Sequence, residues 1–552
     1  MRRLSAWRPV SASGAVAGLL TAAVAMGTGQ LVAGLTIPAS SPVLAVGQAA
    51  IDLTPQSVKN WAIATFGAND KNVLLGGILV VLAIIAAIIG SLAVRRLAVG
   101  LYGLAAFACV GLAAALTRPG ASPEWVLPTL AGAAAGAFAL TRLTRAAGAP
   151  APPPRPPGRA PASDPTSRSG GELVAPDLPT STFTILDNTD APRAALYRPA
   201  RRRFLVGSGV AIATTAVGTI GGRVLAERYN VAKARAALRF PPPAVPAPPL
   251  PPGSDLNIPG LSSFITNNDS FYRVDTALLL PEVDPANWQL RIHGMVRREI
   301  RMTFGELLKR PLIEDYVTLT CVSDPVSGPY VGNAKWLGAS LAALIREAGP
   351  LAGADQLLCT STDGFTCGTP LQVVLDGRDA LLAVAMNGTP LPVAHGFPAR
   401  MVVPGLYGYV SATKWVTDIE VTTFASASAY WAVRGWSQQA PIKTESRIDV
   451  PASGASLRPG PVSVAGVAWA QHKGVAAVEV RVDGGPWQQA RLAAVPDIDT
   501  WRQWVFEWDA TSGHHLLEAR ATDATGYTQT PVQAPPVPNG ASGYPSVSVS
   551  VG

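Results

Sequence analysis

Four stretches in the first third of the sequence, residues 12–35, 73–94, 97–117 and 125–143, are each apolar over about the 20 residues that a helix needs to cross a bilayer. The second, VLLGGILVVLAIIAAIIGSLAV, holds no polar residue beyond glycine and serine, so a buried helix of a soluble domain is a poor account of it. Composition follows from the same feature. Hydrophobic residues make up 48% and charged residues 14%, with a mean hydropathy of +0.25, because lipid-facing helices need apolar side chains and exclude charge. At 552 residues the chain also has room for several further domains.

Arginines set the orientation. Arg2, Arg3 and Arg8 precede the first stretch, Arg95 and Arg96 join the second to the third, and Arg142 and Arg145 close the fourth. Basic loops stay inside, so residues 1–145 read as four transmembrane helices with both ends in the cytoplasm. Residues 146–200 (APPPRPPGRAPASDPTSRSGG and onward) have too few large apolar side chains to fold and read as a disordered, Pro-rich cytoplasmic linker. At 201–225, Arg201-Arg202-Arg203-Phe204-Leu205 leads into VGSGVAIATTAVGTIGG. This is either a twin-arginine export signal or an ordinary fifth span, and either places the residues beyond about Arg223 outside the cytoplasm. Arg223, Arg228, Lys233, Arg235 and Arg239 then fall on the outer side, against the usual bias, which long translocated domains largely escape. Residues 226–254, with FPPPAVPAPPLPPGS, read as a stiff polyproline spacer holding the rest off the membrane. The expectation is a multi-pass protein of the cell membrane with its soluble part on the extracytoplasmic side.

The net charge of +8 is dispersed and much of it flanks apolar runs, so it argues for membrane topology and against a nucleic-acid partner. Within 255–425, strand-like runs (VTLTCV, RMVVPGL) alternate with helical ones (TFGELLKR, ASLAALIREAG), as in mixed α+β structure. Within 440–552, PVSVAGVAWA, AAVEVRVDG, WRQWVFEWDA and HHLLEARATDATG alternate between turn residues, the pattern of an all-β sandwich.

Cys321 ends a β-rich run and opens TLTCVSDPVSGPYVGNAKWLG. A thiol at a strand end beside Gly and Pro is a metal ligand, a nucleophile or a buried small hydrophobe, and the segment alone does not choose. Other segments stand with it: ITNNDSFYRVDTALLLPEVDPANWQLRIHG, TFGELL, STDGF, MNGTPLP, HGFPARMVVPGLYGYVSATKWV and YWAVRGW. In order and spacing this set resembles the molybdopterin domain of the sulfite oxidase family, and the C-terminal sandwich resembles that family's immunoglobulin-like dimerisation domain. The resemblance implies a multi-domain chain: transmembrane helices, an α+β molybdopterin-binding domain and an all-β immunoglobulin-like sandwich.

The resemblance also implies roles. Cys321 falls where the family places the thiolate that binds molybdenum, a soft donor suited to that metal. His395 and Arg400 of HGFPAR fall where the pyranopterin and its phosphate are held. Tyr409, Ser411 and Lys414 lie in the segment that binds the cofactor's phosphate end. Asn268, Tyr272 and Arg273 lie in NDSFYR, which in relatives lines the cofactor and its approach; for Tyr272 core packing stands equally open, while Arg273, together with Cys321, is the catalytic candidate, a guanidinium able to bind an oxyanion substrate. One departure matters. Where family members use an arginine shortly after the cysteine for their anionic substrate, this chain has Val-Ser-Asp-Pro-Val-Ser-Gly. Asp324 opposes an anion there, unless Arg273, Lys335 or Arg434 compensates.

Cys359 and Cys367 are close enough in sequence to pair in an oxidising compartment, or stand as two strand-buried thiols, and Cys109 lies within the third stretch. The five histidines, His293, His395, His472, His514 and His515, all come after the spans, and no CxxCH occurs, so no haem is expected and electrons pass to or from a separate partner. The expected function is oxygen-atom transfer to or from a small sulfite-like or sulfoxide-like substrate at a molybdenum-molybdopterin centre, with a possible homodimer through the C-terminal domain. The alternative is a cofactor-free, membrane-tethered binding protein on the same fold, which loss of Cys321 or Arg400 would favour. A hydrolase lacks its GxSxG elbow.

Overall fold

The apolar stretches form helices in the computed structural model, which describes residues 12–55, 58, 61, 65–66, 70–118, 121–147, 191–227 and 230–552. The chain divides into two compact units, one made of Met1–Thr117 with Ala121–Glu227, the other of Arg118–Gly120 with Arg228–Gly552.

The first unit contains α1 (Ala12–Leu35), α2 (Pro42–Leu53), α3 (Asp70–Ala93), α4 (Leu97–Leu116), α5 (Leu127–Ala147) and α6 (Ala191–Ala226). Among the described residues, five helical stretches are long and apolar enough to cross a membrane: Ala12–Leu35, Lys71–Ala93, Leu97–Leu116, Pro123–Ala147 and Arg202–Ala226. α1 packs against α3, α5 and α6. Small residues allow the approach: a Cβ on Gly18 would meet the backbone of Ala86 and Gly90, and one on Gly34 the backbone of Gly222. Val80, Val81, Ile84 and Ile88 of α3 and Val210, Ile212, Val217 and Ile220 of α6 point outward. In water such a surface would be an aggregation hazard, whereas lipid tails match it.

Two expectations change here. α2 was not anticipated, because its 12 residues are too few for a span. α6 begins at Ala191, so the last ten residues of the expected disordered linker, 191–200, are helical. Pro192 sits in the first turn, where its missing N–H costs no bond, and the Arg-Ala-Ala-Leu after it favours helix. The rest of that linker, 148–190, and Arg2, Arg3 and Arg8 lie outside the described residues.

In the second unit the expected spacer is seated on the domain rather than extended away from it. Its short helix α7 (Ala232–Ala237) is held by Arg235, which donates to the Leu391 carbonyl at 2.7 Å. Further on, Ala244 and Val245 have N–H groups that the surrounding prolines lack. Ala244 donates to Leu312 O (2.7 Å) and Val245 O accepts from Glu314 N (2.9 Å), adding a short rung to a strand edge.

The strands of the next domain are β1 (Gln289–Gly294), β2 (Ile300–Thr303), β3 (Leu312–Thr320), β4 (Val331–Ser340), β5 (Gln356–Ser361), β6 (Thr366–Pro370), β7 (Leu381–Met386), β8 (Thr389–Pro390), β9 (Arg400–Val402) and β10 (Val416–Thr422). One sheet runs β2-β1-β10-β5-β6 and the other β3-β4-β7-β8, with β9 on β7. β7, LLAVAM, is buried at every position, as a strand covered on both faces must be. Helices are short: α8 (Phe304–Leu307), opened by a Thr303/Glu306 capping box, α9 (Leu341–Ala348), α10 (Leu371–Leu375) and α11 (Gly408–Ser411). This is the expected α+β domain.

The C-terminal strands are β11 (Glu445–Val450), β12 (Ser456–Leu457), β13 (Gly460–Trp469), β14 (Val475–Val482), β15 (Gln488–Gln489), β16 (Arg491–Leu492), β17 (Arg502–Ala510), β18 (Gly513–Asp523) and β19 (Ser546–Val551). They form two sheets, β11-β13-β17-β16 and β12-β19-β18-β14-β15, whose inward faces share Val464, Val478, Val480, Trp504 and Leu517. That is the expected sandwich. It is not an appendage, because Trp469 and Trp501 belong to the core of the preceding domain. Its loops also clamp β3: Gln471 donates to Thr318 O (3.0 Å), Trp501 N donates to Thr318 Oγ1 (2.7 Å), and Thr318 N donates to Asp499 O (3.0 Å).

The same seam collects acid. Burial pushes the Asp315 carboxyl up to about 8, helped by Asp497, Asp379 and Asp499 and opposed by the Tyr316 N–H. The folded chain therefore keeps a proton that the unfolded chain releases near pH 4, so stability falls as pH rises from about 4 through about 8. Asp315→Asn, which keeps the acceptor for Tyr316, should raise the melting temperature by about 3 °C or more at pH 8, with the gain shrinking toward pH 4. A scan of melting temperature against pH checks this, and an equal shift at all pH values would contradict it.

Candidate active site

β3 delivers Cys321. Its N–H donates to Tyr330 O at 2.9 Å, one rung beyond the β3–β4 ladder, so the thiol stands where the strand opens into the Val322–Tyr330 turn. Asp324 closes that turn: its N–H donates to Cys321 O (3.1 Å), and its Oδ1 accepts from Tyr330 N (2.9 Å). Cys321 Sγ lies 3.0 Å from Ser323 Oγ. Burial pushes the thiol up, Ser323 draws it down, and the Asp324 charge acts upward again.

The NDSFYR segment packs over this point. Phe271 N donates to Asn267 O (2.8 Å), making a turn that aims Phe271 edge-on at Trp336 (6.0 Å) and His395 (5.5 Å). Tyr272 stacks on Phe271 (5.2 Å) and faces Tyr330 (6.3 Å). Burial holds its phenol well above the ordinary range, Cys321 and Asp324 raise it further and Arg400 opposes, so Tyr272 is a neutral hydroxyl beside the thiol.

HGFPAR forms the third wall. His395 Nε2 donates to Asn268 O at 3.0 Å, and burial, with Arg400, Lys414 and Arg273 nearby, lowers its imidazole to about 4. It is neutral at physiological pH. Gly396 takes φ 107°, a conformation closed to side chains, and a Cβ there would press on Arg400 and Lys414. Buried Arg400 donates to His395 O (3.1 Å), Met401 O (3.3 Å) and Ala412 O (3.4 Å) and lies 5.0 Å from the Trp336 ring, with burial lowering it to about 10. Lys414 Nζ donates to Ala394 O (3.2 Å) and to Asp275 Oδ2 (3.1 Å).

Cys321, Tyr272, Asn268, His395, Arg400, Lys414 and Arg273 thus come together. Asn268 acts here through its backbone carbonyl, since its amide is engaged by Asn387 (2.8 Å) and Thr389 (3.1 Å). Tyr409 and Ser411 do not bring their hydroxyls to this cluster. Tyr409 donates to Ser437 O (2.6 Å), and buried Ser411 donates to Leu406 O (3.0 Å) within its own turn. In their place the structure turns Tyr407 inward, fully buried and acted on by Glu445, Asp324 and Cys321. Sequence reasoning passed over it, and two tyrosines two residues apart in GLYGY were the available signal.

Two buried acids lie by this cluster, Asp324 next to Cys321 and Glu445 acting on Tyr407. Burial raises Asp324 to about 6 and Glu445 to about 8, and Asp324 Oδ2 and Glu445 Oε1 are buried with no hydrogen-bond partner. The three cations named as compensators are engaged otherwise. Arg273 pairs with Asp275 (3.4 Å), Lys335 with Glu314 (3.0 Å), and Arg434 donates to Tyr430 O (2.7 Å) while lying over the Tyr430 ring. Cys359 and Cys367 face each other across β5 and β6 as buried free thiols, and Cys109 is free as well. Among the described residues no group of three or more His, Cys, Asp or Glu side chains is arranged to hold a metal ion.

Residues 277–431 match the family model of the oxidoreductase molybdopterin binding domain. Sulfite oxidase of Gallus gallus is 30% identical over 322 residues, which cover 49% of this chain and 69% of that protein. Mitochondrial sulfite oxidase of Homo sapiens is 28% identical over 326 residues, 50% of this chain and 59% of the relative. The crystal structure of the sulfane dehydrogenase SoxCD from Paracoccus pantotrophus aligns with 50% of this chain and 78% of its own, at a TM-score of 0.44 and 24% identity.

Proposed function

Because this chain belongs to the sulfite oxidase family of molybdopterin-dependent oxidoreductases, we propose that it is a membrane-anchored enzyme that moves an oxygen atom to or from a small substrate beside Cys321, on the extracytoplasmic side. The observation that carries this reading is the meeting of three segments far apart in sequence: a thiol at the end of a clamped strand, a neutral phenol over it, and a buried arginine with a histidine and a lysine on the facing loop.

The donor set fits molybdenum-molybdopterin. Cys321 is the soft protein ligand, and Arg400 uses three of its five N–H donors on carbonyls, leaving others for an anionic phosphate. Lys414 adds charge on the same loop, and neutral His395 offers a polar edge. When bound, the cofactor supplies a redox metal that exchanges an oxygen atom and, by its charge, keeps the Cys321 sulfur as thiolate. The chain's own groups do the rest. Gln471, Asp499 and Trp501 fix β3 and so the position of Cys321. Tyr272 presents a phenolic hydrogen beside the thiol, suited to a substrate oxygen.

Electrons enter or leave, on this proposal, through a separate partner, and two copies pair through the sandwich. The outward apolar faces of α3 and α6 support the membrane anchor, and the arginines at 95, 96, 142 and 145 support a cytoplasmic origin for the linker. Full-length protein in membranes should oxidise sulfite with ferricyanide or reduce dimethyl sulfoxide with a reduced viologen, and protease added outside intact spheroplasts should release the domain C-terminal to α6. Turnover of neither substrate, or a domain protected until the cells are lysed, would contradict the reading.

A further inference from the structure

We propose that Cys359 and Cys367 are a redox pair, which a small disulfide oxidant converts to a cystine that staples β6, the strand bearing α11, to β5. Neither residue belongs to the cluster around Cys321, and the chemistry needs no cofactor. β5 and β6 form an antiparallel hairpin in which Cys359 stands directly opposite Cys367, so both side chains rise from one face of the sheet, into the core. The ladder fixes their separation. Ser361 N donates to Phe365 O (2.9 Å) where the hairpin begins, and two residues further along each strand the next hydrogen-bonded pair is Cys359 with Cys367. The Cα atoms of such a pair lie about 5.5 Å apart. A disulfide spans about 4.4–6.8 Å between Cα atoms, most often about 5.5–6 Å. The backbone therefore already holds the two cysteines at bridging distance.

Both thiols are buried and free. Burial, and then Cys367 beside it, raises the Cys359 thiol, and burial pushes Cys367 up to about 12. Closed, the pair is inert, so reaction proceeds from an opened hairpin. Its place in the fold allows that. β6 is the last strand of its sheet, and Thr362 in the turn is exposed. The segment beyond β6 meets it through Tyr430 N, which donates to Thr366 Oγ1 (2.9 Å), and through the Phe365 and Tyr430 rings, 5.5 Å apart. Opening at such an edge takes less than global unfolding.

In the opened hairpin the Cys367 thiolate attacks one sulfur of a small disulfide, RSSR, expelling RS⁻ and leaving a mixed disulfide. Cys359 then attacks the Cys367 sulfur and expels the second RS⁻. The protein gives up two electrons and two protons, and the oxidant leaves as two RSH. The sidedness proposed above places the domain where such oxidants occur. Thr369, two residues past Cys367, donates to Val410 O of α11 (2.5 Å), so stapling β6 steadies the turn whose flank presents Tyr407.

The test uses the full-length chain in detergent, reduced, freed of reductant, and held with oxidised glutathione just below its melting temperature. It is then denatured in N-ethylmaleimide, digested and weighed. The peptide carrying both cysteines should appear two hydrogens lighter than its reduced form and without maleimide. The oxidised chain should melt about 3 °C or more above the reduced one, because the cystine restricts the unfolded chain. Cys359→Ala, which keeps an apolar group in the core, should show neither change. Maleimide on both cysteines, glutathione left on Cys367, or an oxidised chain that melts no higher would overturn the proposal. None of these results depends on molybdenum, so the cofactor reading of Cys321 stands or falls separately.

Discussion

Cys321→Ser is expected to abolish turnover, by about 100-fold or more, while leaving the fold intact. Serine is a hard oxygen donor in place of a soft sulfur, and no other described His, Cys, Asp or Glu side chains form a group that could take over the metal. Even groups one step removed from a metal are worth about 10- to 100-fold, so the ligand itself should exceed that. The hydroxyl stays within reach of Ser323, and the rungs to Tyr330 and Asp324 are backbone bonds that do not depend on the side chain. The stability cost should therefore be about 1 kcal/mol or less. Turnover per chain and a melting curve on the same sample check both halves. Retained activity would remove Cys321 from the metal, and a collapsed melting temperature would make its role structural.

Arg400→Met should lose both cofactor and stability. The guanidinium is buried and ties three carbonyls of its own loop, His395, Met401 and Ala412. Removing it leaves those acceptors short of donors and the loop less well defined, a loss of about 2–5 kcal/mol. Arg400→Lys should retain part of the stability but little of the cofactor, because an ammonium cannot reproduce the planar fork. Cofactor content after gel filtration, beside the melting temperature, reads the two effects separately. A Met variant that keeps its cofactor would show that Arg400 serves the loop alone.

Much of this architecture is legible from local pattern. The long apolar helices follow from composition, as in VLLGGILVVLAIIAAIIGSLAV, which is long and apolar enough to cross a membrane, and the sandwich follows from alternation between turns. The order of motifs around Cys321, His395 and Arg400 located the cluster. What was not legible depends on partners distant in sequence. No local signal says that Lys414 shares Asp275 with Arg273, or that Lys335 is taken by Glu314, so the expected compensation for Asp324 was open until the pairs were seen. The Pro-rich spacer read as free because prolines offer no N–H, yet Ala244 and Val245 between them pair with β3. In α11 and its N-terminal flank a single turn decides which tyrosine faces inward, and Tyr407 rather than Tyr409 turns toward Cys321.

The most direct test of the central claim is the molybdenum and molybdopterin content of the full-length chain, purified from a host that makes the cofactor. One molybdenum and one molybdopterin per chain, with the metal lost or its sulfur signature gone in Cys321→Ser, is the predicted result. A folded, correctly inserted chain with neither would contradict the account and favour a tethered binding protein on the same fold.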